Sequence, residues 1–84
     1  MKRKVKELAM NLFEVTHKRF PAIQFVKIQE HPEQIDRYWI KVVGNLDEEQ
    51  QYEMSMFVGR KATDILVKEG YSFAIMLDNT LELA

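Results

Sequence analysis

Arg37-Tyr38-Trp39-Ile40-Lys41-Val42-Val43-Gly44-Asn45-Leu46-Asp47-Glu48-Glu49 is the stretch that decides the fold. Its first seven residues alternate, Tyr38, Ile40 and Val42 against Trp39, Lys41 and Val43, which is the two-residue period of a half-buried strand. Gly44-Asn45 then breaks the strand. Asn45 followed by Glu48 has the spacing of an N-cap with a carboxylate three residues on. Asp47, Glu48 and Glu49 put negative charge where a helix N-terminus favours it. The spacing predicts a helix over about 46–69, with Gly70 as its C-terminal stop. A third strand comes next, over Tyr71–Leu77, with Phe73, Ile75 and Leu77 on one face. Strand, helix and strand form a crossover, expected to be right-handed and to leave its two strands parallel.

Upstream, Ile23–Glu30 also alternates, with Val26 and Ile28 on one side and Phe25, Lys27 and Gln29 on the other. The short polar loop His31-Pro32-Glu33-Gln34-Ile35-Asp36 makes an antiparallel hairpin of the first two strands. Before them, residues 2–19 read as a helix. Val5, Leu8, Ala9, Leu12, Phe13, Val15, Thr16 and Phe20 form one apolar arc on its wheel. Arg3/Glu7 and Glu14/Lys18 are i,i+4 pairs on the opposite, solvated face. Pro21 ends the helix. The fold expected is a single α+β domain over residues 1–84, order α-β-β-α-β, with two helices on one face of a three-stranded mixed sheet. Strand order is left open by the sequence. Asp78-Asn79-Thr80 closes the last strand, and Leu81–Ala84 is too short to classify.

Composition narrows function by exclusion. The 84 residues contain no cysteine, which removes disulfides and thiolate-bound zinc. A chain this short buries only about 60–65% of its unfolded surface, so good packing or association must supply stability. Apolar residues at 46% and charged residues at 30% indicate a globular rather than a disordered chain. Twelve Lys/Arg against thirteen Asp/Glu give a net charge of −1, without the positive excess usual in nucleic-acid binders. Met1-Lys2-Arg3-Lys4 has the charge of a signal-peptide n-region, but Lys6, Glu7 and Asn11 break the apolar run that such a signal needs. No apolar run reaches the roughly 18–20 residues that span a bilayer, and a soluble, cytoplasmic protein is expected.

Candidate chemistry is sparse. His31 lies beside Glu30, Glu33 and Asp36, so a carboxylate–imidazole cation site can be drawn, but the spacing matches no pattern that forces ligands to converge. His17 falls at the edge of the first helix's apolar arc. Ser55, Ser72, Thr16, Thr63 and Thr80 lack a neighbouring base, and Gly44, Gly59 and Gly70 form no phosphate-binding pattern. Asp64 with Arg60 and Lys68 reads as ordinary i,i+4 pairing. The expectation is a non-enzymatic protein with no metal and no cofactor.

Two apolar surfaces stand out instead. On the second helix, Met54, Val58, Ala62 and Ile65 make one strip, and Ser55, Gly59, Leu66, Tyr52, Thr63, Met56 and Val67 extend it around more than half the circumference. Phe57 falls in the remaining polar arc. A helix lying on a sheet needs a stripe only somewhat over 100° wide. Either the helix bends near Gly59, or the first helix and the tail cover the excess, or Phe57, Met56 and Tyr52 form a dimer or partner contact, where aromatics and methionine are enriched. The second surface is the sheet face away from the helices, expected to carry Phe25, Lys27, Gln29, Trp39, Lys41, Val43, Ala74 and Met76. Trp39 with Phe25 could serve homo-oligomerisation there. Alternatively, Lys27, Trp39 and Lys41 could contact RNA.

The element order also resembles the type II KH-like domain of the ribosome-binding factor A family. Phe25-Val26-Lys27-Ile28 and the run from Ile40 through Glu49 are similar to that family's hairpin and helix start, and the likeness in topology covers residues 5–77. The resemblance implies an RNA- or ribosome-associated domain. Arg60-Lys61-Ala62-Thr63-Asp64 stands where the family has an Ala-x-Gly helical kink, and there is no Gly-x-x-Gly loop, so no functional residue is carried over. The expected function is a protein-interaction module that binds partners through its apolar surfaces, first among them a second copy of itself. The alternatives are the KH-like RNA-associated domain and an accessory subunit of an enzyme on another chain.

Overall fold

A computed structural model describes residues 1–79. Helix α1 (Arg3–Arg19) leads into strands β1 (Gln24–Glu30) and β2 (Arg37–Val43), followed by helix α2 (Glu48–Glu69) and strand β3 (Ser72–Leu77). The order is the expected α-β-β-α-β. Thr80 and Leu81–Ala84 lie outside the described residues. The strand order is β1-β2-β3, with β2 central, antiparallel to β1 and parallel to β3 across the α2 crossover.

Both helices pack on one face of the sheet, and one apolar cluster joins all five elements. Val5, Ala9, Leu12 and Phe13 of α1 meet Tyr38, Ile40 and Val42 of β2, Met54 and Val58 of α2, and Phe73 of β3, with Phe25 and Ile28 of β1 packed against them. Thr16 is fully buried among them, which its hydroxyl tolerates because it donates to the Leu12 carbonyl at 2.8 Å. Val15 lies at the margin of the arc and is exposed. Gly44 is where two segments touch: a Cβ there would stand 2.6 Å from the Ala22 carbonyl oxygen and 2.9 Å from the Ile23 Cα.

The start of α2 differs from the sequence reading. Asp47, not Asn45, is the N-cap. Its side chain accepts from the Gln50 N–H at 2.8 Å, and the Gln50 side chain accepts from the Asp47 N–H at 3.2 Å. Leu46 is buried in the core and holds the chain there ahead of the helix, so the helix cannot begin before it. Gly70 ends the helix in the left-handed region, φ 80°, with its N–H on the Leu66 carbonyl. Of the expected i,i+4 pairs among the described residues only Arg3–Glu7 forms, at 3.4 Å; Glu14/Lys18, Arg60/Asp64 and Asp64/Lys68 do not, as befits exposed side chains whose pairing gains little.

The largest departure lies in β1. Pairing runs Ile28↔Ile40 and Lys27↔Lys41, then shifts so that Phe25 faces Val42. This β-bulge reverses the inside–outside parity upstream of Lys27. Phe25 therefore lies on the helix side, its ring edge-on to Phe13 at 5.5 Å. Its expected place on the open face is overturned, because the extra residue lets the large ring fill space beneath α1. β1 thus forms one edge of the sheet, carrying a bulge and Lys27. β3 forms the other edge, and none of its six residues is charged.

Candidate functional site

α2 is a single uninterrupted helix of 22 residues, of which only Met54 and Val58 are buried; Phe57, Ala62 and Ile65 are half-buried on the same side. At about 100° per residue, Tyr52, Met56, Gly59, Thr63 and Leu66 form a second stripe, centred roughly 125° around the helix from Met54, Val58, Ala62 and Ile65, with Val67 next to them. The structure leaves this second stripe bare: Tyr52 is 67% exposed, Met56 48%, Leu66 47% and Val67 80%. Neither α1 nor a bend at Gly59 covers it. A Cβ at Gly59 would meet nothing within 4 Å, so the protomer's own packing does not require a glycine there.

Phe57 is not the centre of that surface. Its ring packs edge-on to Phe20 at 6.3 Å, with the Arg19 guanidinium 5.3 Å and the Lys61 ammonium 5.8 Å from its centroid. The wheel placed it in the polar arc, and Lys61 of that arc, together with Arg19 from α1, lies over the ring. Its apolar partner, Phe20, enters from beyond the end of α1, which no pattern within α2 could reveal. Met56 and Tyr52 remain open to solvent as expected. Leu66 and Val67 belong with them, and the seven-residue spacing of Tyr52, Gly59 and Leu66 was the available signal.

The open face of the sheet is built from four short rows. Gln29, Trp39 and Ala74 make one, Lys27, Lys41 and Met76 the next, Arg37 lies beside Ser72, and Val43 stands opposite Gln24. Trp39 is half-buried, with the His31 ring edge-on at 5.1 Å and the Lys41 ammonium 5.0 Å from its centroid. Lys41 also reaches the Met76 sulfur at 3.6 Å. Lys27 and Lys41 stand directly opposite each other on neighbouring strands, an arrangement of like charges that costs stability. Arg37 shares the parity of Trp39 and Lys41, and the alternation of β2 could have named it.

The hairpin loop has a structural explanation. The Nδ1 of His31 accepts from the backbone N–H groups of Glu33 and Gln34, each at 3.1 Å, so that nitrogen is occupied in shaping the turn. Asp36 adopts φ 61°, a conformation that aspartate tolerates better than most residues. Among the described residues no cluster of three or more His, Cys, Asp or Glu could hold a metal ion. Burial, followed by the nearby carboxylates of Glu30 and Asp36, pushes the Tyr38 phenol above its ordinary pKa. No helix among the described residues is long and apolar enough to cross a membrane.

No protein-family model matches the chain, and no curated protein or solved structure matches it. The likeness in element order to the ribosome-binding factor A family therefore stands without support from these comparisons.

Proposed function

We propose that this chain is a non-enzymatic interaction module that pairs with a second copy of itself through the outer stripe of α2. The observation that carries the reading is a second, solvent-exposed apolar stripe beside the core-facing one, with a glycine at its middle that intramolecular packing does not explain. Glycine in a helix interior costs about 1 kcal/mol relative to alanine. At a helix–helix contact that cost is offset, because a missing side chain lets two backbones approach closely.

Spacing and charge favour a two-fold, antiparallel arrangement. Tyr52, Met56, Gly59, Thr63 and Leu66 alternate steps of four and three residues, the pattern of a helix-pairing seam. Glu53 and Arg60 border it on the same side, seven residues apart, and neither forms an ion pair among the described residues. Reversing the second helix brings each Glu53 toward the other copy's Arg60, twice over by symmetry. The stripe is narrow and α2 is about 33 Å long at 1.5 Å per residue. The contact therefore belongs to the small class of interfaces, and a weak, reversible association is expected.

Sedimentation equilibrium from low to high micromolar concentration tests the proposal. Wild type is expected to pass from monomer to dimer. Met56→Asp, which puts a charge in the stripe without touching the core, should stay monomeric with an unchanged circular dichroism spectrum. A wild type that is monomeric throughout, or a Met56→Asp variant that still dimerises, overturns it.

A further inference from the structure

The sheet's open face carries an independent signal that self-association through α2 does not use. Its charged strand residues are Lys27, Arg37 and Lys41, all positive. The only carboxylate in the three strands, Glu30, pairs in register with Tyr38, which is buried on the helix side of the sheet. Asp47, Glu48, Glu49 and Glu53 gather at the start of α2, and Glu33 and Asp36 lie in the hairpin loop. The open face of the strands is thus cationic in a chain whose net charge is −1. The cleft between the helices differs: about 280 Å³ in volume, it sets Lys61 and Lys68 against Asp64 and Glu69 and selects neither sign.

We propose that this face binds single-stranded nucleic acid, with a base stacked on Trp39 and Lys27, Arg37 and Lys41 on the flanking phosphates. The opposed Lys27/Lys41 pair repels itself in the free protein, and a bound phosphate relieves that repulsion. Trp39 stands on the central strand with the small Ala74 beside it in register, which leaves room next to the indole for a second flat ring. The Lys41 ammonium now lying against the indole occupies the position that a base would take, and it needs only to swing aside to reach the backbone. Gln29, on Trp39's other side, offers a donor and an acceptor to a base edge. An aromatic platform flanked by cations is the general solution for sequence-tolerant binding of single strands.

Trp39 is the chain's single tryptophan, so its fluorescence reports the site directly. The experiment titrates the protein with a mixed-sequence single-stranded RNA dodecamer and its DNA counterpart, following indole quenching across salt concentrations. Binding should weaken with salt along a log–log slope of about −2, three phosphates at roughly −0.7 each. Trp39→Ala should lose about tenfold or more in affinity, and Trp39→Phe should recover most of it. Lys27→Gln, an exposed substitution that leaves the fold alone, should weaken binding and flatten the slope by about 0.7. Met56→Asp should bind as the wild type does, which keeps this proposal separate from dimerisation. Absence of binding at low salt overturns it, as does binding without a change in Trp39 emission. Equal affinity and quenching with polyglutamate would also overturn it, since the face would then be reading charge alone and an acidic protein would be its occupant.

Discussion

Gly59→Ala sets two consequences of the α2 reading against each other. Within the protomer the new methyl group meets nothing within 4 Å, so it introduces no clash. It should bring the full propensity gain of alanine over glycine in an exposed helix interior, about 1 kcal/mol. For a domain of this size that corresponds to a rise in melting temperature of about 4–8 °C. At the proposed contact the sign reverses. Each copy's new methyl group enters the seam between Met56 and Thr63 and holds the two backbones further apart. A loss of about 1 kcal/mol or more is expected, which is fivefold or greater in the dimer dissociation constant. Thermal melts at low micromolar concentration measure the first effect, and sedimentation equilibrium measures the second. A variant that melts lower than wild type would refute the open space at position 59. A variant that melts higher but dimerises with unchanged affinity would remove Gly59 from the contact.

The fold itself yields two more expected outcomes. Gly44→Ala should destabilise by about 1–3 kcal/mol, because its Cβ would press on the backbone at Ala22 and Ile23, which cannot rotate away; a urea midpoint equal to wild type would contradict that close approach. The raised pKa of Tyr38 comes from burial first and from the Glu30 and Asp36 carboxylates second, so the fold prefers the neutral phenol. An unfolded chain releases that proton near the ordinary value of 10.0, so stability is intact below it and declines as the pH rises through 10 toward the folded value. Urea titrations on either side of pH 10 should show a smaller decline for Tyr38→Phe, and equal declines would refute the linkage.

The parts of this structure legible in the sequence are those that local chemistry encodes. Pro21, Gly44 and Gly70 mark ends of elements, and the alternation from Arg37 to Val43 gives the central strand its two faces. Strand order was not legible, since the same hairpin and crossover can be assembled with different neighbours. The bulge at Val26 escaped for a related reason. Residues 23–30 alternate acceptably with Phe25 on either face, and the choice is made by the fit against Phe13, twelve positions upstream. Two cap patterns overlap at the start of α2, and the burial of Leu46 selects the later one. On the candidate surfaces, Met56, Tyr52, Lys27, Trp39 and Lys41 could be located from periodicity alone. Phe57 and Phe25 could not, because each is covered by an aromatic from another element.

The two borders of the sheet are not equally protected. β1 carries a bulge and a lysine, both of which discourage a foreign strand from docking. Ser72-Phe73-Ala74-Ile75-Met76-Leu77 carries neither a charge nor a proline, and its outward hydrogen-bonding groups lie along the border opposite β2. Six uncharged residues, with Phe73 and Ile75 of high strand propensity among them, are the makings of a fibril seed. Heating or concentrating this protein should therefore cost material by sheet growth from its last strand, and storage conditions will have to be chosen around that segment.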